Sequence, residues 1–129
     1  MSQQPRLLLS IALALCGLPC LAGASPYDDA QAQAKTDTLN SETRSCFVNE
    51  LRPAFNVVFQ GLLNGCAQEM TADSQSHFGL VFTVTPDGSI RQVLWRSTSR
   101  FTECLEPGLR AAKLPPAPKP EFFVGMAGQ

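Results

Sequence analysis

The chain has 129 residues, a formal net charge of −1, 44% hydrophobic residues and 16% charged residues. That length holds one domain, and that apolar content excludes a disordered chain. A charge so near zero argues against nucleic acid or an anionic membrane surface as the main partner.

Residues 1–24 read as a secretory signal peptide. Arg6 is the only charge before Asp28, residues 7–15 form an apolar run, and Gly17 and Pro19 break the helix. Ala22-Gly23-Ala24 puts small residues where signal peptidase reads, so cleavage is expected between Ala24 and Ser25. The alternative is an uncleaved membrane anchor, but a spanning helix needs ~20 apolar residues and this run is shorter. Neither Cys16 nor Cys20 sits where a lipid-bearing cysteine would. Cleavage removes Arg6 and no acid, so the net charge moves from −1 to −2. It also discards two of the 5 cysteines, leaving Cys46, Cys66 and Cys104 in a compartment that permits disulfides. With three cysteines, at most one internal bridge forms, and one thiol is free or pairs between chains.

Residues 25–40 are polar and small, with Tyr27 and Leu39 as the only large apolar groups. They read as a flexible tether, weakly helical at most. From 41 to 129 the chain reads as one domain. Phe47, Leu51, Phe55, Val58, Phe59, Leu62 and Cys66 recur every three or four residues, which makes one apolar helix face. Pro53 interrupts the run, so a short helix over 43–51 and a main helix over 53–69 are expected.

Residues 77–97 read as a β-hairpin. Phe78, Leu80, Phe82 and Val84 alternate along the first strand, and Pro86-Asp87-Gly88 makes the turn. Ile90 is out of phase with Val93 and Trp95, which predicts a bulge in the second strand. Phe101, Cys104, Leu105, Leu109 and Ala112 mark a second helix over 99–113, which Pro107-Gly108 is expected to bend or split. A proline-rich connector, 114–120, leads to a short last strand at Phe122, Phe123 and Val124. The fold class is therefore α+β: a small three-stranded antiparallel sheet, order α-β-β-α-β, with two main helices on one face.

This ordered set resembles the C-terminal domain of TonB-type proteins, closest to the AgmX/PglI type. The resemblance covers residues ~53–125 and rests on four features. A cysteine ends the first helix (Cys66), a strand turns at Pro86-Asp87-Gly88, and the return strand closes on Val93-Leu94-Trp95-Arg96-Ser97-Thr98. Phe101 and Cys104 then open a helix that runs into Leu114-Pro115-Pro116-Ala117-Pro118. The resemblance implies capture of an extended peptide from a partner protein. It does not extend to the anchored, proline-rich rod of TonB itself, since the leader here is cleavable and the tether short. A membrane-anchored energy transducer is the reading that would follow from an uncleaved leader.

Cys66 and Cys104 lie on the core-facing sides of neighbouring helices, and paired helix cysteines recur in the family. A Cys66–Cys104 bridge is expected on both counts, against the alternative of two buried thiols. Cys46 would pair with Cys66 only if the chain folded back, since a continuous helix separates them by ~30 Å at 1.5 Å per residue. It reads as a spare thiol, or as the link of a homodimer. No catalytic constellation can be assembled. His77 is the only histidine and opens a strand, Ser97 and Ser99 lack a partner base, and no acid or thiol cluster has metal-ligand spacing. No enzyme activity, metal or cofactor is therefore expected. Glu103 and Glu106 suit a helix N-terminus, Trp95 suits the core, and Arg91, Arg96 and Arg100 suit a solvated edge.

The sharper expectation concerns the last strand. Glu121, Phe122, Phe123, Val124 and Met126 read as an edge strand able to accept an extended peptide of an envelope protein. Phe122 and Phe123 are adjacent, so one of them is expected to face away from the core. The sequence thus reads as an exported, periplasmic protein-binding or adaptor module, with a disulfide-linked or strand-swapped dimer as the second reading.

Overall fold

The computed structural model describes residues 25–127. The signal peptide reading, up to its last residue Ala24, lies outside the described residues. Within them the elements run α1 (Pro26–Leu39), α2 (Arg44–Cys46), a π-helical turn (Phe47–Leu51), α3 (Arg52–Gly65), α4 (Ala72–Ser76), β1 (Gly79–Val84), β2 (Ile90–Trp95), α5 (Arg100–Ala111) and β3 (Phe122–Ala127). The sheet is antiparallel with order β2-β1-β3. The expected α-β-β-α-β order is present as α3, β1, β2, α5 and β3.

Pro53 stands in the first turn of the main helix, α3, as expected, but the chain before it is a π-turn that runs directly into that helix, with the Arg52 N–H donating to the Phe47 carbonyl five residues back. The wider π register supplies room at the point where a proline removes a helical donor and crowds the preceding turn. Pro107 does not split α5, which is one helix from Arg100 to Ala111. Ser99 caps it, and its capping box with Thr102 satisfies the exposed amides of the first turn. Gly108 marks the close approach of α5 to α3, since a Cβ there would overlap the Leu62 side chain.

The hairpin carries the expected irregularity. Phe82 pairs with Val93 but Val84 pairs with Ile90, so Arg91 and Gln92 stand opposite Thr83 alone. The hydroxyl of Thr83, itself buried, accepts the Gln92 N–H at 3.0 Å. At the turn, Gly88 takes a φ of 81° and its Cα faces the Leu114 carbonyl, so no side chain fits there. Asp87 accepts hydrogen bonds from the Thr85 hydroxyl and the Ser89 N–H, which hold its carboxyl well below the usual carboxylate range.

One face of the sheet forms the main core. Leu80, Phe82, Val84, Ile90, Val93, Phe122 and Val124 pack against Leu51, Phe55 and Phe59 of the first helical run and Phe101, Leu105 and Leu109 of α5. Cys66 and Cys104 are joined by a disulfide, with Cα atoms 5.9 Å apart, tying the end of α3 to α5.

The segment expected as a flexible tether is instead an ordered helix. α1 lies on the second sheet face, where Tyr27, Ala30 and Ala34 bury against Val81, Leu94 and Phe123. Its start is built from local signals. The Ser25 hydroxyl accepts the Asp28 N–H at 3.1 Å, Pro26 opens the first turn, and Asp28 and Asp29 face the positive helix end. Its buried stripe, residues 27, 30, 34 and 37, has helical spacing but is made of small or polar side chains. Such a stripe carries little hydropathy and still packs, because the strands present glycine to it. A Cβ on Gly79 would overlap Tyr27, and one on Gly125 would press on Gln31 and Ala34.

Candidate functional site

α1 and α3 lie on opposite faces of the sheet, so the chain between them has to pass around it. It does so at the start of β3. Asp37, in the last turn of α1, is 3% exposed and sits against this strand. Its carboxylate accepts the Phe123 N–H at 2.9 Å, the Lys119 ammonium at 2.7 Å and the Gln33 amide at 2.9 Å. Its main-chain carbonyl accepts the Thr43 hydroxyl at 2.6 Å, which fixes the turn into α2. Past the turn, Phe47 packs its ring 6.0 Å from that of Phe122.

This wrap divides the outer edge of β3. In an antiparallel strand, alternate residues point their N–H and C=O away from the neighbouring strand. The Phe123 N–H bonds Asp37, so Phe123, Gly125 and Ala127 are the outward residues. The first of these is taken by Asp37. Among the described residues no hydrogen bond from outside the sheet reaches Gly125 or Ala127. The edge is therefore closed at its N-terminal end by the chain itself and open over 125–127.

An apolar cavity of about 120 Å³ borders the open part. Phe47, Leu51, Phe55, Phe82, Val124 and Met126 supply its walls, and Arg52 and Asn56, both exposed, stand among its lining residues. The Arg52 guanidinium lies 5.9 Å from the centre of the Phe47 ring. None of the ion pairs among the described residues uses it.

The residues proposed for the edge divide accordingly. Phe122 is fully buried and Val124 nearly so, and both belong to the core. Phe123 is not an exposed aromatic, because α1 half-buries it. Glu121 is exposed and precedes the strand, while Met126 lines the cavity. Truncation at residue 121 would thus take two residues out of the core as well as removing the edge. Sequence reasoning missed Asp37, Lys119 and the cavity. Asp37 had a signal, since it falls on the same helical stripe as Tyr27, Ala30 and Ala34. The cavity had none, because it depends on how far α3 stands from β3.

The remaining candidates have structural places. His77 is exposed, with Nδ1 3.4 Å from the Asp73 carboxylate. Ser97 donates to the His77 carbonyl, and Glu103 lies in the first turn of α5. The Trp95 indole N–H donates to Glu106 at 3.0 Å, and its ring meets Phe78 edge-on. Arg96 lies over Tyr27, and Arg110 donates to the Arg91 carbonyl at the other sheet edge. Arg100 opens α5. Cys46 is free and half-buried. Burial, and then the Glu50 carboxylate that its thiol faces, push its pKa above the ordinary thiol value. Among the described residues, no three side chains of metal-ligating type stand together, and no helix is long and apolar enough to cross a membrane. Comparison with protein-family models, curated proteins and solved structures gives no match.

Proposed function

We propose that the chain is an exported, non-enzymatic binding module of the cell envelope, related to TonB-type C-terminal domains, that captures an extended segment of another protein by strand addition at β3. The observation that carries the reading is the open row of outward backbone groups at Gly125 and Ala127 beside an apolar cavity. Such an edge gives main-chain hydrogen bonds to any extended peptide, and an adjoining pocket gives it side-chain preference. The leader pattern of residues 1–24 and the Cys66–Cys104 disulfide support export, because such bonds persist in oxidising compartments.

The test is photo-crosslinking in cells that export the chain. A photoreactive residue at position 127 should give adducts with another envelope protein. The same residue at Gln60, exposed on α3, should not. Ala127→Pro removes one outward donor and none of the ladder bonds, as edge strands tolerate. It should cut adduct yield from a crosslinker at Met126 while the far-ultraviolet spectrum stays unchanged. Equal adducts at 127 and 60, or yield indifferent to the proline, would refute the reading.

A further inference from the structure

We infer that the cavity beside the open end of β3 is an anchor pocket. It takes one bulky apolar side chain of the added peptide, while Arg52 pairs with a carboxylate two residues along the same peptide. This rests on the strand-addition reading and specifies its partner.

Volume sets the size of the anchor. A dry cavity of ~150 Å³ lined by aliphatic and aromatic residues holds one benzene ring. The pocket here, at about 120 Å³, suits a leucine, a methionine or at most a phenyl ring. A lipid acyl chain is several times too long for it. The lining sets the polarity, since Phe47, Leu51, Phe55 and Met126 offer no buried polar partner. A polar anchor would lose its water without replacement.

Continuity with the strand sets the geometry. The cavity lies on the α3 side of the sheet and is lined by Val124, Gly125 and Met126 of β3. A peptide paired on β3 sends alternate side chains to that side, and residues i and i+2 stand ~6.6 Å apart. When one enters the pocket, its neighbour on the same side stands beside the first turn of α3. Arg52 is there, exposed and outside every ion pair among the described residues. A guanidinium so placed selects a carboxylate by a forked hydrogen bond, and Asn56 one turn on adds a second polar group. The motif is an apolar residue, any residue, then Asp or Glu, in one chain direction or the other.

The experiment uses the full chain, expressed with its leader, purified oxidised and labelled with ¹⁵N. The probes are the synthetic peptide Thr-Thr-Leu-Thr-Asp-Thr, its reversed sequence, and the two variants of each in which Leu becomes Ala or Asp becomes Lys. The expected result is movement of the Gly125 and Ala127 amide signals with a Leu/Asp peptide. Affinity should fall on the order of tenfold or more with Ala, and severalfold with Lys. Arg52→Glu, an exposed change that leaves the core intact, should invert the order of the Asp and Lys peptides. Leu51→Trp, which fills the cavity, should remove the preference for Leu over Ala.

If the β3 amides move equally for all six peptides, the edge binds but the anchor pocket is wrong. If no peptide moves them at millimolar concentration, both readings fall. If they move with protein concentration alone and the chain sediments as a dimer, a second copy of the chain is the occupant, and the peptide pocket is overturned.

Discussion

Asp37 is the most economical place to test how the sheet edge is closed. Asp37→Ala removes a carboxylate that is 3% exposed and accepts from Phe123, Lys119 and Gln33. Hydrogen bonds to a charged group contribute ~1.5–3 kcal/mol each, but three bonds to one carboxylate do not add. Lys119 is 38% exposed and regains water when its partner goes, so its share is the smallest. The Phe123 N–H, between a helix and a strand, loses a partner that water replaces only if α1 moves. We therefore expect α1 docking to weaken by about 3 kcal/mol in Asp37→Ala and by at most ~1 kcal/mol in Lys119→Ala. Hydrogen exchange reads this locally. At about 1.4 kcal/mol per factor of ten, the Phe123 amide should exchange ~100-fold faster in Asp37→Ala. Amides of Leu80 and Phe82, in the main core, should slow or speed far less. An exchange rate at Phe123 within threefold of wild type would show that Asp37 does not hold the edge closed.

Reducing the Cys66–Cys104 bond, or replacing both cysteines by Ala, should cost about 4 kcal/mol by the chain-entropy argument for a separation of 38 residues. A melting temperature unmoved by dithiothreitol would contradict it. Gly88→Ala should destabilise by ~2 kcal/mol or more in urea, because φ is positive and the new Cβ would meet the Leu114 carbonyl. A loss under ~0.5 kcal/mol would mean the turn relaxes freely. Cys46 should alkylate more slowly than a free cysteine peptide at pH 7.5, since burial and Glu50 raise its pKa. A thiol as fast as the peptide's would mean the burial is lost in solution. Asp87 has a folded pKa depressed below the unfolded value of ~3.9, so its bonds favour the turn in full above that pH, and the effect is lost as pH falls from there through the lower folded value. Its carboxyl carbon signal should stay flat from pH 7 to pH 3, and a midpoint near ~4 would refute the bonding.

The sheet and the bulge were legible because their signals are local. Alternation from Phe78 to Val84 and the phase slip at Ile90 each act within a few residues. The disulfide was legible from helix faces together with the family resemblance. α1 was misread because hydropathy was taken as the measure of burial. Ala30 and Ala34 bury little area each, yet small side chains let a helix come close to a sheet that offers Gly79 and Gly125. Its N-terminal signature of Ser25, Pro26 and two acids was present in the sequence. α5 runs through Pro107 because packing of Leu105 and Leu109 outweighs the local preference. The cavity was not legible in any local pattern, since it arises from the spacing of two elements far apart in the chain.

If β3 takes a peptide as proposed, the wrap and the open end together make the chain its own competitor. Closing the Phe123 end with Asp37 limits an incoming peptide to the backbone groups of Gly125 and Ala127, which is a short register for strand addition. Docking of α1 also buries Tyr27 Oη and Gln31 Oε1 without hydrogen-bond partners, each a loss of order 1–3 kcal/mol. The helix is thus hydrogen-bonded to the strand at its Asp37 end, while its first two turns rest on packing against the sheet. On that balance, Asp37→Ala should lengthen the usable edge back to Phe123. The Leu/Asp peptide should then bind more tightly to the variant than to the wild-type chain, although the variant is the less stable protein. Most destabilising changes near a binding edge weaken binding, so affinity and stability moving in opposite directions would be specific to a self-covered strand. Affinity that falls together with stability would mean that α1 supports the edge, and the register over 125–127 would then be the whole of the site.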